Sequence, residues 1–274
     1  MQMTRGNLRI LQAADLRSAI ELSRIAGWNQ TMDDWQTVLR LDPQGCFCIE
    51  LDDRIVATTT LLCYGSRLAW IGMVLTLPEY RRRGFALRLV KAALERAAAL
   101  KIESVKLDAT AEGQPLYEKL GFKTEQVIER WFRVAQQDRT PDRITPSSSQ
   151  YSLELDLEAF GADRASLLRE LASRNPPIAV DGGYCFFRKG TRASYLGPCV
   201  AQSQQAARVV IEQCLRASPE SNLYWDLLST NGNASQLATE FGFVPQRRLQ
   251  RMVLGNSLRK NDELVYAIAG FELG

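Results

Sequence analysis

Arg81-Arg82-Arg83-Gly84-Phe85-Ala86 is the stretch whose residue types and spacing could do chemistry. Arginine side chains present forked N–H donors that match phosphate oxygens. Gly84 lets the backbone approach a ligand closely and take angles that other residues avoid, and the small Ala86 leaves the following element unobstructed. That element reads as a helix, because Leu87, Val90, Ala93, Leu94 and Ala97 recur at three- and four-residue spacing. A helix start offers unpaired N–H groups and the positive end of the dipole, which together suit a phosphate. The turn is neither a dinucleotide fingerprint nor a P-loop, since the paired glycines and the Gly-Lys-Ser/Thr are missing. A surface turn with solvated arginines is the other reading of the same six residues.

The bulk composition narrows the chemistry. The chain has 274 residues, 46% apolar and 24% charged, the profile of a soluble globular protein long enough for two domains of roughly 130 residues each. Its net charge of +3 argues against nucleic acid or a membrane surface as partner. No apolar run approaches the roughly 20 residues of a membrane helix, and the start, MQMTRGNLRI, lacks the apolar core of a leader. There is no histidine, which excludes Ser-His-Asp and Cys-His catalysis and histidine metal sites. The six cysteines include no C-x-x-C; free, mostly buried thiols in a reducing cytoplasm are expected, and no metal site.

The elements that must position the turn follow in order. Leu8 to Leu11 reads as a strand, and Asp15 as the cap of a helix through Ile25. Thr31-x-x-Asp34 reads as a capping box opening a second helix with Trp35, Val38 and Leu39. Gly45 to Leu51 and Ile55 to Cys63 read as strands around the Asp52-Asp53 turn, with Cys46 and Cys48 on one side. The strand Trp70 to Thr76, bounded by Pro78, leads into the arginine turn. After its helix come the strand Ser104 to Asp108, a short helix from Pro115 to Leu120 stopped by Gly121, and a strand from Val127 to Val134.

Two motifs in this order resemble the GNAT superfamily of N-acetyltransferases over about Leu8 to Val134. The pyrophosphate-binding segment R/Q-x-x-G-x-G/A stands as Arg81-x-x-Gly84-x-Ala86, and the terminal Y-x-x-x-G-F stands as Tyr117-Glu-Lys-Leu-Gly121-Phe122. The resemblance implies an α/β fold, a mostly antiparallel mixed sheet flanked by helices. It implies acetyl-CoA as cosubstrate, its diphosphate held by Arg81, Arg82, Arg83, Gly84, Phe85 and Ala86. It gives the strand edge Val74, Leu75 and Thr76, widened by a β-bulge, to the pantetheine and the thioester carbonyl, and gives Tyr117 the role of acid toward the leaving thiolate. A core tyrosine with its hydroxyl at the rim is the reading of Tyr117 without the resemblance.

The rest of the chain reads as a worn second copy. Residues 136–150, with two prolines and three serines, form a linker between a domain at 1–135 and another at 151–274. A shift of 121 carries Gly121-Phe122 onto Gly242-Phe243 and Arg130 onto Arg251, and a shift of 125 carries Ile71-Gly72 onto Leu196-Gly197. This copy has Gln202, Gln205 and Ala207 where the first has Arg81, Gly84 and Ala86, and Ala238 at the place of Tyr117. It resembles the degenerate half of a tandem GNAT protein, leaving it to shape the acceptor pocket. Tyr151 to Leu157, Tyr184 to Arg188 and Leu223 to Leu228 are expected strands. Asp163 to Arg174 and the segment after Asn231 are expected helices.

Acetyl transfer to an amine also needs a route for the amine proton. With no histidine, a carboxylate acting through water is expected, and Asp108 and Glu79 are the candidates. Trp28, Asn29 and Gln30 lie where the resemblance places the border of the acceptor site. Asp226 is a candidate anchor for the amine, a solvated or turn-capping Asp being the other reading. The function expected is an N-acetyltransferase acting on a small-molecule or peptide amine; a non-catalytic acyl-CoA sensor is the alternative.

Overall fold

The computed structural model describes residues 6–135, 151–217, 222–258 and 261–274. The first half runs β1 (Asn7–Ile10), α1 (Leu16–Ile25), α2 (Met32–Leu41), β2 (Cys46–Leu51), β3 (Arg54–Tyr64), β4 (Leu68–Thr76), α3 (Phe85–Ala99), β5 (Ser104–Ala109), α4 (Gln114–Lys119) and β6 (Lys123–Arg133). The second runs α5 (Leu153–Phe160), α6 (Ala165–Arg174), β7 (Ile178–Val180), β8 (Gly183–Arg188), β9 (Ser194–Ala201), α7 (Gln204–Ala217), β10 (Leu223–Leu228), α8 (Gly232–Glu240), β11 (Val244–Gly255) and β12 (Val265–Ala267). The architecture is the mixed α/β arrangement expected, mostly antiparallel strands flanked by helices.

Local signals set several boundaries. Thr31 caps α2, its Oγ1 accepting from the Asp34 N–H at 3.3 Å while Asp34 Oδ2 accepts from the Thr31 N–H at 2.7 Å. Asp15 stands at the start of α1, but its carboxylate bonds Arg9 instead of capping the helix. Tyr151 to Leu157 is not a strand. The alternation of Tyr151, Leu153, Leu155 and Leu157 imitates period two, but Ser152 Oγ accepts from the Leu155 N–H at 3.0 Å and starts α5. Leu155 and Ala159, four apart, then face the core. The short strands β7 and β12 have no counterpart in the sequence reading; at three residues each, they are too brief to show a period. The proposed linker at 136–150 lies outside the described residues.

One sheet of twelve strands joins both halves among the described residues, in the order β1-β2-β3-β4-β5-β11-β6-β10-β9-β8-β7, with β12 beside β9. Each half gives its last long strand to the other. β11 pairs antiparallel with β5, and β6 pairs antiparallel with β10. β6 and β11 pair with each other at the centre. Two ion pairs pin this exchange. Arg130 on β6 meets Asp226 on β10 at 2.7 and 2.6 Å, and Arg251 on β11 meets Asp108 on β5 at 2.8 and 2.9 Å. These are directly opposed residues in each ladder, and the two arginines are the pair related by the repeat.

In each half, two parallel strands pair for three residues and then part. β4 and β5 stay together only from Leu68, Ala69 and Trp70 to Ser104, Val105 and Lys106. β9 and β10 stay together only to Leu196 and Trp225. In the second half β12 fills the opening, pairing with β9 at Cys199 and Val200, while Trp225 Nε1 donates to the Tyr266 carbonyl at 2.7 Å. In the first half the opening stays free as a cavity.

Candidate active site

The cavity begins at the arginine turn and has a volume of about 850 Å³. Arg82 takes φ 60° and Gly84 φ 80°, so the chain winds tightly into α3. No side chain caps α3, whereas Thr31, Ser152 and Asn231 cap α2, α5 and α8. The N–H groups of its first turn are therefore without side-chain acceptors, beside Phe85, Ala86 and Leu87 on the cavity wall. A Cβ built on Gly84 meets no atom within 4 Å: the position needs glycine for its backbone angle, and there is room in front of it. Arg81 and Arg82 line the cavity. Arg83 turns aside, donating to the Glu79 carbonyl at 3.0 Å and lying over the Tyr80 ring. That corrects the expectation that all three arginines front the turn.

Next along the cavity is the parted edge of β4. Its register against β3 slips between Gly72 and Leu75, and Met73 takes φ 49°, so a β-bulge interrupts the strand. Thr58 Oγ1 donates to the Met73 carbonyl at 2.9 Å and Thr59 Oγ1 to the Gly72 carbonyl at 3.3 Å, holding the bulge. Val74, Leu75 and Thr76 beyond it line the cavity. Tyr117 on α4 lines it too. Its ring meets Phe122 edge-on, and its hydroxyl makes no hydrogen bond to a described residue. Desolvation raises its pKa, which keeps the hydroxyl protonated near neutral pH.

The two proton acceptors expected from sequence are occupied. Asp108 lines the cavity, yet both its oxygens accept from Arg251. Glu79 lies outside the cavity, exposed and paired with Arg54 at 3.2 Å. Asp226 does not reach the cavity either: it is fully buried mid-strand on β10 and both its oxygens accept from Arg130. A directly opposed arginine on a neighbouring strand explains each aspartate, and neither partner is near in sequence.

The carboxylate that does close the cavity is Glu272, in the segment after β12. This segment leaves the filled notch of the second half and crosses β4 of the first. Trp70 Nε1 donates to the Phe271 carbonyl at 2.9 Å and Tyr64 Oη to the Leu273 carbonyl at 2.5 Å. The crossing is so close that a Cβ on Gly72 would stand 2.8 Å from the Glu272 backbone. Glu272 is buried and accepts from Gln30 Nε2 at 2.9 Å. Desolvation, then the nearby Asp34 carboxylate, push its pKa up to about 7. Gln30 and Trp28 line the cavity. Asn29 borders it as well, but its side chain is spent on the β8–β9 turn, donating to the Ala193 carbonyl and accepting from the Arg192 and Ala193 N–H groups. The only sequence signal for Glu272 is its Gly-Phe-Glu-Leu-Gly setting, which does not say what it faces.

Two family models match the chain: the acetyltransferase (GNAT) family over residues 13–122 and an acetyltransferase (GNAT) domain over residues 152–267. The N-acetyltransferase YitH of Bacillus subtilis, itself uncharacterised, is 30% identical over 202 residues, 69% of this chain and 70% of that protein. The chain belongs to the GNAT family, with two GNAT domains in tandem. This GNAT protein is also 26% identical to the holothin acyltransferase of a Pseudoalteromonas species over 264 residues, 90% of this chain and 87% of that one. Its fold matches a crystal structure from Pyrococcus horikoshii, solved as a candidate acetyltransferase, with a TM-score of 0.87 at 22% identity over 100% of this chain and 98% of that chain. Among its described residues no helix is long and apolar enough to cross a membrane, and no group of three or more cysteine or carboxylate residues could hold a metal ion.

Proposed function

We propose that the protein transfers an acetyl group from acetyl-CoA to a primary amine by direct attack within the first-half cavity. The observation that carries this is the continuity of the cavity. It links the uncapped α3 start, the parted β4 edge, Tyr117 and the buried Glu272. The α3 N–H groups, Arg81 and Arg82 hold the diphosphate. The edge Val74 to Thr76 holds the pantetheine arm, and backbone N–H groups there stabilise the oxyanion that forms on the thioester carbonyl. The amine nitrogen attacks the carbonyl carbon, the C–S bond breaks, and Tyr117 gives its proton to the departing sulfur. The surplus proton of the amine passes to Glu272. An alkylammonium has a pKa of about 10, so a carboxylate that is ionised just above neutral pH and shielded from water is a suitable acceptor. Glu272 takes the place that the sequence reading offered to Asp108 or Glu79. The second-half notch takes no part, since β12 occupies it.

The test is amine-dependent release of CoA from acetyl-CoA, with Tyr117→Phe as comparison. The variant is expected to lose about 10²-fold in kcat with acetyl-CoA affinity nearly kept. Equal losses in both would assign Tyr117 to packing. Tight acetyl-CoA binding with no turnover on any amine would favour a sensor.

A further inference from the structure

Resting on that acetyltransferase reading, the geometry points to an acceptor that carries a carboxylate as well as its amine, an amino-acid-like molecule held by Arg247 at one end and by Gln30 and Glu272 at the other. Both groups of residues line the same cavity. Arg247 stands on β11 just past a register slip between Pro245 and Arg247, opposite Arg130 of β6. Such a bulge re-aims the side chain that follows it. β5 ends at Ala109, opposite Gln250, so Arg247 lies beyond the last pairing of β11 with that strand. Its guanidinium lies 5.1 Å from the centre of the Phe271 ring, and Phe271 immediately precedes Glu272.

The charges around Arg247 are already matched, while Arg247 is not. Arg130, 4.4 Å from the same Phe271 ring, has Asp226. Arg248 has Glu129, and Arg188 has Asp34. Arg192 donates to the Gly27 carbonyl. Arg247 has no hydrogen bond or ion pair among the described residues, and Asp226, already paired with Arg130, acts on it only at a distance. The Arg247 side chain is exposed on the cavity wall; desolvation, then repulsion from Arg130, lower its pKa from the usual arginine value, with Asp226 acting the other way. An arriving carboxylate would accept two parallel N–H bonds from the guanidinium fork.

At the other end, Gln30 gives its amide N–H to Glu272, and Gln30 Oε1 is buried without a partner. A buried acceptor left unpaired is costly, and a bound amine supplies the missing donor. An amine can donate to Gln30 Oε1 and to Glu272 together. The cavity therefore presents two hydrogen-bond acceptors at one end and, at the other, a cation without an ion-pair partner.

The test compares matched acceptors in acetyl-CoA-dependent CoA release: ω-amino acids from glycine to 6-aminohexanoate against their carboxamides and against simple alkylamines. For at least one chain length, kcat/KM for the acid is expected to exceed that for its amide by tenfold or more. Arg247→Gln is expected to collapse that ratio through KM, and Arg247→Lys to restore part of it. Circular dichroism checks that each variant is folded. Turnover with acid and amide alike in the parent protein overturns the carboxylate assignment and leaves the acetyltransferase reading standing, as does a ratio unchanged in a folded Arg247→Gln. No CoA release with any amine overturns both.

Discussion

A carboxylate buried beside another carboxylate resists ionisation, and Glu272 is placed that way. Its pKa is about 7 folded against 4.5 in the open chain. Asp34 raises it and Arg188 lowers it, with Arg130, Tyr64 and Tyr195 also within electrostatic reach. Between these two pH values the folded protein keeps a proton that the unfolded chain releases. This contribution is fully present below 4.5, is lost as pH rises to about 7, and stays absent above. Glu272→Gln removes the titration. Relative to the parent, the variant should gain on the order of 2 kcal/mol between about pH 5 and about pH 8 in urea unfolding; a constant difference would show that Glu272 titrates normally. In kinetics, kcat/KM of the parent should rise with pH through about 7, a limb that Glu272→Gln should lose. At the other end of the cavity, Gly84 takes φ 80° with open space in front. Gly84→Asp strains the turn and sets negative charge against the diphosphate, so acetyl-CoA affinity measured by calorimetry should fall at least tenfold. Unchanged affinity would remove the turn from the site.

At the scale of elements, the exchanged strands explain why two aspartates with the look of active-site residues are structural. Arg130–Asp226 and Arg251–Asp108 are repeat-related, buried and two-pronged. Breaking a buried pair leaves a charge without compensation. Asp226→Ala should therefore cost about 3–5 kcal/mol of stability, whereas replacing both partners by apolar residues of similar volume should recover much of it. Denaturant midpoints for the single and double variants decide this; a single variant as stable as the parent would mean the pair holds nothing. The arginine turn and the Y-x-x-x-G-F helix could be read directly from sequence because each is a local conformation, set by glycine angles, a proline and a three-to-four-residue period. Tyr151 to Leu157 could not, since apolar and polar residues alternate over all seven positions and fit a strand until Ser152 caps the backbone. Arg83 could not either, because its exit from the cavity depends on the Tyr80 ring and the Glu79 carbonyl.

Across the whole molecule, the shared sheet couples the halves. β5 and β10 each complete their pairing with a strand from the other half, and the segment after β12 runs from one notch to the other. Unfolding should be one transition in calorimetry, and a fragment ending near residue 135 should be unfolded or self-associated, because β6 would have lost both its partners and β5 one of its two. A folded, monomeric fragment, or two separate transitions, would show that the exchange is not needed for stability. The sequence by itself determined what is built from near neighbours: the α/β class, the repeat, the single arginine turn, the Y-x-x-x-G-F helix and the family. The tertiary structure alone decided what depends on distant pairs. It gave Asp108 and Asp226 to arginines 143 and 96 residues away, closed the second notch with β12, and set Glu272 against Gln30 across 242 residues. A periodic pattern says which face of an element is buried, but not which element arrives to bury it. The acceptor end of this cavity is made where such elements meet.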